Sequence, residues 1–289
     1  MENSQIIEYL QKLDKTVYVH ASNLLKKFSD WNTLSAKQKI ALPKIGTEYV
    51  NYLINNNKLK GYSDKIIIER TKHLNNYFDF HDNKFKNYFT SQGKFRSTIL
   101  EEFMFILFND LIEEVRSKIE NSEEKLKLGS KKAYTNLFFS GTDFYNFVET
   151  PQIGIHQKDQ DFAIYRPINI SIGKSKSINT NLPIVSIENK TYIDKTMLEG
   201  SIATAEKIKS GNPYSLFFVV SERYAVDLKI DPVYSKIDQI YVLRKDNKKN
   251  TTNPVFSDVL IDLIQEVNNH LNRNWSDVEN KLNISGKII

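Results

Sequence analysis

The chain has 289 residues, 40% of them hydrophobic and 12% aromatic, and Lys and Arg outnumber Asp and Glu by 40 to 35. These values exclude a disordered chain, and the net charge of +5 suits a polyanionic partner such as nucleic acid. The absence of cysteine excludes disulfides, thiolate zinc sites and iron–sulfur clusters. Any metal would therefore need oxygen or imidazole ligands, which favours magnesium, calcium or manganese. No apolar run approaches the ~20 residues of a membrane span, and no signal peptide is recognisable, so we expect a cytoplasmic protein.

The first ninety residues are predicted to be helical. Apolar positions recur at helix spacing in four stretches, with breaks at 55–64 and 78–87; the stretches are 6–13, 19–28, 48–54 and 66–78. We therefore expect a helical N-terminal region over 1–90, followed by one larger core over 91–289.

A strongly apolar helix follows from Ser97, with Ser97 or Thr98 as its N-cap. Its apolar arc is wide, which indicates burial on most sides. At 100° per residue, Glu101 falls inside that arc and Glu102 towards the polar side. A carboxylate inside an apolar arc needs a partner, so Glu101 is the better candidate for an acidic group at a site, and Glu102 stays open.

Beyond the polar stretch 121–136, which reads as a loop or frayed helix end, the pattern changes to α/β. Two strands (162–172 and 182–192) flank a basic turn (173–181). A helix from Asp194 as N-cap to Gly211 as C′ residue comes next. Strands at 215–221 and 239–244 and a helix at 256–271 complete the chain. This order predicts an α/β fold with a mixed sheet.

Two carboxylates and a lysine lie at the ends of the first two strands. Asp161 directly precedes the first strand, and Glu188 and Lys190 close the second. Because side chains alternate along a strand, Glu188 and Lys190 share one face, with Cβ atoms about 7 Å apart. The carboxylates and the backbone carbonyl of Asn189 are hard oxygen ligands for a divalent cation, and the ammonium can orient or polarise an attacking water. The spacing predicts a metal site for phosphodiester hydrolysis.

The Glu-x-Lys pattern alone is more often a solvated strand face than a site. Here it ends an apolar strand, follows an Asp that begins another, and precedes a helix and a buried strand. Charged groups at the rim of a buried sheet need a partner, because their desolvation is costly. Asp159 is the nearest rival to Asp161, but a position in the preceding turn is ordinary for Asp.

The run KDQDFAIYRP…IVSIENKTYIDKTMLEGSIATAEKIK resembles the catalytic core of the PD-(D/E)xK nucleases. More narrowly, it is similar to the type II restriction endonucleases of the Bpu10I kind. The tract ENKTYIDKTMLEGS carries most of the resemblance, and the upstream helix STILEEFMFILF adds to it. Gln160 stands before Asp161 in place of the Pro of the superfamily's name.

The resemblance implies a restriction-endonuclease-like core, in which a central mixed sheet is flanked by helices, and a Mg²⁺-dependent enzyme that cuts double-stranded DNA at specific sites. By motif, Asp161 and Glu188 would hold the metal and Lys190 would assist the water. Asn189 and Glu101 are the candidates for completing the metal shell.

The expected partners follow from the same resemblance. They are double-stranded DNA, a second subunit in a homodimer or a heterodimer with a related chain, and a companion DNA methyltransferase. Residues 1–90 would serve DNA recognition or dimerisation. The alternative is a non-catalytic DNA-binding protein or a nicking subunit of a heteromeric endonuclease; the intact Asp161, Glu188 and Lys190 favour the enzyme.

Overall fold

The computed structural model describes residues 1–85, 88–89, 95–171, 177–247, 253–273, 275, 277–286 and 288. Its helices are α1 (Asn3–Gln11), α2 (Val19–Ser29), α3 (Ala36–Lys58), α4 (Asp64–Phe85), α5 (Thr98–Arg116), α6 (Ser122–Lys125), α7 (Phe144–Glu149), α8 (Lys195–Gly211), α9 (Ser257–Asn272) and α10 (Val278–Ser285). Its strands are β1 (Lys127–Ser140), β2 (Gln152–Ile170), β3 (Ile178–Lys190), β4 (Leu216–Ser221) and β5 (Gln239–Val242). No helix in these ranges is long and apolar enough to cross a membrane.

Within the described ranges the strands form one sheet in the order β1-β2-β3-β4-β5. β1, β2 and β3 pair antiparallel, whereas β4 and β5 join β3 in parallel. The change of direction follows from the connections, because α8 carries the chain from β3 back to the start of β4, as a parallel pair requires. The predicted mixed sheet flanked by helices is confirmed.

Each face of the sheet is covered by a different layer. One face, which includes Phe162, Ile187 and Phe218, packs in the larger hydrophobic core with α5, α9 and the N-terminal helices. The other face, which includes Phe217 and Val219, packs in a smaller core under α8. All six side chains of β4 are buried, as expected for a central parallel strand covered on both faces.

The N-terminal helices are part of the larger core. Side chains of α1 to α4, such as Ile6, Leu24, Tyr49 and Phe78, belong to the same buried cluster as the sheet. The proposed boundary at residue 90 falls between α4 and α5, next to residues outside the described ranges. The helical region is therefore anchored to the sheet by buried apolar surface.

Four local predictions were wrong. Asp159 was expected in a turn and Asp161 at the start of a strand, but both lie within β2, because pairing with the long strand β1 extends β2 back to Gln152. The stretch 121–136 contains α6 and most of β1, whose exposed outer positions at the sheet edge give it a polar composition. Of the expected break at 78–87, residues 78–85 are instead the last part of α4, where Phe78, His81 and Phe85 are buried, and residues 86–87 lie outside the described ranges. Gly211 is the last residue of α8 and not a C′ residue; a Cβ on it would lie 1.9 Å from the Thr135 carbonyl oxygen, so the site requires close approach of two backbones.

Candidate active site

Asp161 and Glu188 come together through the β2–β3 register. Phe162 pairs with Ile187 in this antiparallel ladder, and one further step along the register places Asp161 opposite Glu188. Asp161 Oδ2 also accepts a hydrogen bond from the backbone N–H of Asn189 at 2.9 Å. The carboxylate of β2 is thereby held at the end of β3, as the sequence predicted.

Glu188 and Lys190 form an ion pair on the face covered by α8. Lys190 Nζ donates to Glu188 Oε1 at 3.1 Å, and both side chains keep about a quarter or less of their surface exposed, 25% and 21%. Their faces follow from the parallel pairing of Glu188 with Val219, a member of the smaller core. Glu188 Oε2 is buried and has no hydrogen-bond partner among the described residues. A buried carboxylate oxygen left in this way is costly and can accept a cation.

The donor set at the end of β3 and the middle of β2 suits a hard divalent cation. The oxygen donors are the two carboxylates and the backbone carbonyl of Asn189, the kind of ligands that Mg²⁺ and Ca²⁺ prefer. Over the part of the chain that the structure describes, no three His, Asp or Glu side chains converge in an arrangement that holds a metal ion. The fit of a divalent cation to this site therefore depends on Glu188 Oε2, which has no partner among the described residues and lies beside Asp161, and on the oxygen chemistry of the donors.

The end of β4 lies beside the end of β3 that carries Glu188 and Lys190. Lys190 pairs with Ser221, and the N–H of Glu222 donates to the Lys190 carbonyl at 3.0 Å. The Glu222 side chain is completely buried and accepts two bonds from Arg96, at 2.9 and 3.0 Å, and one from Arg244 at 2.9 Å. Because both oxygens are satisfied by guanidinium groups, Glu222 is an anchor for the strand end and not a free metal ligand.

Arg96 extends this buried network to the helical region. It donates to both oxygens of Asp82 on α4, at 2.7 and 2.9 Å, and its guanidinium stacks on Phe78 at 3.7 Å. Burial alone would raise the pKa of Asp82, but the bonds from His81 and Arg96 outweigh it and hold that pKa well below its usual range. Burial alone would lower the pKa of Arg96, but Glu222 and Asp82 raise it above its ordinary value. Each partner therefore stabilises the ionised form of the other.

Helical-wheel reasoning was wrong about the burial of Glu102. This side chain is buried and accepts bonds from the backbone N–H groups of His20 and Ala21, at 2.9 and 3.2 Å, and from the Tyr49 hydroxyl at 2.6 Å. The wheel assumed one buried face, whereas α5 packs on the sheet on one side and on α2 and α4 on others. Glu102 thus caps the N-terminus of α2 from a distant part of the chain.

Glu101 lies in the first turn of α5, the helix that packs on the sheet. Phe108, two turns later on the same side of α5, stacks on Phe162 of β2 at 5.6 Å. The start of α5 is held at the strand ends through Arg96. Since α5 covers the face opposite to Glu188, Glu101 can approach the carboxylates only around the end of the sheet. Its role as a further metal ligand stays a prediction.

Three basic segments of the sequence are candidate phosphate contacts, although a solvated turn is the commoner role of such segments; they are Lys131–Lys132, 173–181 and 244–250. Lys131 and Lys132 are exposed on β1, opposite Gln160 and Asp159 and therefore beside the candidate site. Residues 173–176 of the turn at 173–181, and residues 248–250 of the segment 244–250, lie outside the described residues. Arg244 is buried in the ion network and is therefore neither a solvated turn residue nor a surface phosphate contact.

The sequence reading missed Asp82, Arg96 and Glu222. One signal was present, because Glu222 directly follows the buried strand LFFVVS just as Glu188 ends its own apolar strand. A carboxylate at the rim of a buried sheet needs a cationic partner. Its partner Arg96 lies 126 residues away in the chain, and no spacing rule connects the two.

The fold defines the class of protein. The structure resembles a chain of the restriction endonuclease BbvCI, solved as the "native BbvCI A2B2 tetramer at low resolution". The TM-score is 0.68 at 20% sequence identity, and the match covers 90% of this chain and 96% of that chain. This is the fold of a restriction endonuclease.

The family model described as Bpu10I restriction endonuclease matches residues 92–253, more than half of the chain. The protein belongs to the Bpu10I restriction endonuclease family. A search of curated proteins found no sequence match. The matched segment begins just before α5 and includes β1 to β5, and so contains every residue of the candidate site except those of α4.

Proposed function

We propose that the protein is a type II restriction endonuclease that hydrolyses phosphodiester bonds at a specific site in double-stranded DNA, with Mg²⁺ as its cofactor. The observation that carries this proposal is the β2–β3 pairing that sets Asp161 against Glu188, with Lys190 bonded beside them. Membership of the restriction endonuclease family supports the nuclease activity.

Asp161, Glu188 and the Asn189 carbonyl would hold Mg²⁺, and Glu101 is a further candidate. A bound Mg²⁺ would supply positive charge that favours ionisation of the attacking water and offsets the charge on the phosphate. The Asn189 N–H fixes the Asp161 carboxylate, and the ion pair to Glu188 keeps the Lys190 ammonium at the same place. The ammonium can then orient the water oxygen towards phosphorus and stabilise the charge that develops as one ester P–O bond breaks.

The protein would cut both strands as a dimer, because one such site cleaves one strand. The A2B2 tetramer of BbvCI supports an assembly of several subunits. A nicking or non-catalytic subunit of a heteromeric endonuclease is the second candidate function, and that tetramer is the observation that favours it. A companion DNA methyltransferase would protect the host DNA in either case.

The test incubates the purified protein with plasmids of diverse sequence and either Mg²⁺ or Ca²⁺, and sequences the ends that form. We expect double-strand cuts at one recurring sequence in Mg²⁺, binding without cutting in Ca²⁺, and no cutting by Lys190→Ala. Lys195→Ala is the matched control, since Lys195 is an exposed lysine five residues on. Absence of any cutting by the wild type would refute the nuclease proposal. Nicks that become double-strand cuts only after a second protein is added would establish the heteromeric alternative.

A further inference from the structure

Arg223, just beyond the end of β4, is a cation that forms no ion pair with the described residues of the buried ion network. Asp82 and Glu222 together balance Arg96 and Arg244, so these four groups sum to zero charge. Arg223, the residue after Glu222, adds a fifth group to the same surroundings. Its Nε is buried without a hydrogen-bond partner, and it forms no ion pair within the described ranges. Because the Nε–H of this half-buried guanidinium has no acceptor among the described residues, the group is suited to bind an anion from outside the chain.

Arg223 is fixed next to the proposed catalytic strand end. Its carbonyl accepts from the Ile193 N–H at 3.0 Å, and the preceding N–H bonds the Lys190 carbonyl. Since Lys190 pairs with Ser221, Arg223 lies two residues beyond that pair. Strand geometry puts its Cα about 8 Å from that of Lys190. The two cations are therefore close enough to contact the same DNA strand.

The charges around Arg223 favour a role in binding an anion over that of a solvated surface residue. Burial lowers the pKa of Arg223, Glu222 opposes this effect, and Arg244 and Arg96 lower that pKa further. Among the described groups that shift the pKa of Arg223, Glu222 and Asp82 are the carboxylates and Arg96 and Arg244 are the guanidinium groups, and a further negative charge would stabilise this arrangement. A phosphate accepts bidentate hydrogen bonds from a guanidinium and carries that charge.

We propose that Arg223 binds a backbone phosphate of the DNA strand that enters the site. This inference rests on the proposed function and adds a binding residue to it. A phosphate contact carries no base information, so its loss should weaken binding to all sequences alike. Each neutralised phosphate contributes about 0.9 to the slope of log K against log salt, which at 0.1 M salt corresponds to about eight-fold in affinity.

The experiment measures DNA binding by fluorescence anisotropy in Ca²⁺ between 50 and 200 mM KCl. For Arg223→Ala we expect a slope smaller by about 0.9 and an affinity about eight-fold weaker at 0.1 M salt, whereas Arg223→Lys should keep the slope. Arg273→Ala is the matched control, because Arg273 is exposed at the end of α9 and next to the start of β4, at the opposite end of the sheet.

An unchanged slope for Arg223→Ala would overturn the assignment, and so would a slope that falls equally for Arg273→Ala. Circular dichroism checks that each variant is folded. If the wild type binds and cuts DNA while Arg223→Ala keeps its slope, only the role of Arg223 fails. If the wild type neither binds nor cuts, the proposed function and the assignment fail together.

A second surface feature is the end of the β1–β2 hairpin, which projects apolar side chains into solvent. We call it the aromatic tip and define it as residues 138–149. Its large side chains expose 38–77% of their surface; they are Phe138, Phe139, Phe144, Tyr145, Phe147 and Val148. At about 150–250 Å² for a whole aromatic side chain, this is roughly 600 Å² of apolar surface, close to the ~800 Å² that one partner contributes to a standard interface.

The aromatic tip has a defined structure. Asp143 caps α7 by accepting from the Asn146 N–H at 2.9 Å. Phe138 stacks on His156 at 4.5 Å and covers Gly154, where a Cβ would lie 2.1 Å from its ring. Side chains held by such contacts lose less conformational entropy on binding, which favours a docking role.

The charge of the hairpin favours a protein over DNA as the occupant. Residues 133–157 contain no Lys or Arg and two carboxylates, Asp143 and Glu149. Since the whole chain has a net charge of +5, the remainder carries +5 − (−2) = +7. An acidic tip is repelled by DNA phosphates and attracted to the basic remainder of a second copy of this chain.

We infer that the aromatic tip docks on a second copy of the chain in the dimer proposed above. Light scattering after gel filtration, without DNA, should give twice 33.6 kDa for the wild type and 33.6 kDa for Phe144→Ser/Tyr145→Ser. Ile284→Ser, at an equally exposed apolar position of α10, should stay dimeric. If the Phe144→Ser/Tyr145→Ser variant keeps the dimer mass, the aromatic tip is not the dimer contact, although the dimer itself stands. A monomeric wild type would refute both the dimer and the role of the aromatic tip. Weaker DNA binding at unchanged mass would make the tip a DNA contact instead.

Discussion

Replacing Glu102 by Gln should change how the stability of the protein depends on pH. Burial raises the pKa of this carboxyl from 4.5 to about 7, against the opposing effect of its hydrogen bonds from Tyr49, Ala21 and His20. The folded state therefore holds a proton on Glu102 that the unfolded chain releases. The stabilisation is complete below about pH 4.5 and is lost as the pH rises through 7.

The size of the effect follows from the pKa difference. A rise from 4.5 to about 7 at 1.36 kcal/mol per unit gives about 3 kcal/mol lost between pH 4.5 and 8. Glutamine resembles the protonated carboxyl and has no such dependence. The wild type should thus be more stable than Glu102→Gln at pH 5 by its better hydrogen bonds, and should lose this advantage, or reverse it, at pH 8.

The assay is urea unfolding, followed by circular dichroism, of both proteins at pH 5, 6, 7 and 8. The unfolding free energies of the two proteins must be compared at each pH, because His20 also makes the stability of the wild type depend on pH. Burial keeps the pKa of His20 well below 6.5, so its contribution to stability is lost as the pH falls, the opposite sign. The difference between wild type and variant removes that contribution. A difference that stays constant from pH 5 to pH 8 would refute the reasoning.

Four further substitutions test the site and its supports. Arg96→Ala leaves Glu222 with one cationic partner in a fully buried position, and should cost about 3–5 kcal/mol of unfolding free energy in urea titrations; a loss under 1 kcal/mol would contradict a buried network. Gly211→Ala forces a Cβ to within 1.9 Å of a β1 carbonyl and should lower stability by about 1–3 kcal/mol, whereas Gly200→Ala, with open space around it, should raise it by about 0.4–1 kcal/mol. Asp161→Asn should abolish calcium binding measured by calorimetry at unchanged thermal stability, and binding as tight as that of the wild type would remove Asp161 from the metal site.

The pairing of Asp161 with Glu188 could be predicted because it depends on short-range rules. Strand alternation places Glu188 and Lys190 on one face, and a short connection between two apolar strands makes them antiparallel neighbours. Those rules hold here, since β2 and β3 pair as expected. The same rules missed β1, because the strand at the sheet edge has exposed positions and resembles a polar loop.

The supports of the site could not be predicted because they join distant parts of the chain. Glu102 caps α2 over 82 residues, and Arg96 reaches Glu222 over 126. Such contacts follow from the packing of whole layers. A helical wheel treats α5 as a helix with one buried face, and only the folded layers show that Glu102 lies on a second one.

The buried ion network connects the N-terminal helical region rigidly to the candidate site. Arg96 is bonded on one side to Asp82 of α4 and on the other to Glu222, whose N–H holds the Lys190 carbonyl. Separating α4 from the strand ends would expose or orphan a charge in a buried place, at a cost of several kcal/mol. A hinge between the two parts is therefore disfavoured. If residues 1–90 contact DNA, the position of the cut relative to those contacts is set by packing and not by a flexible linker.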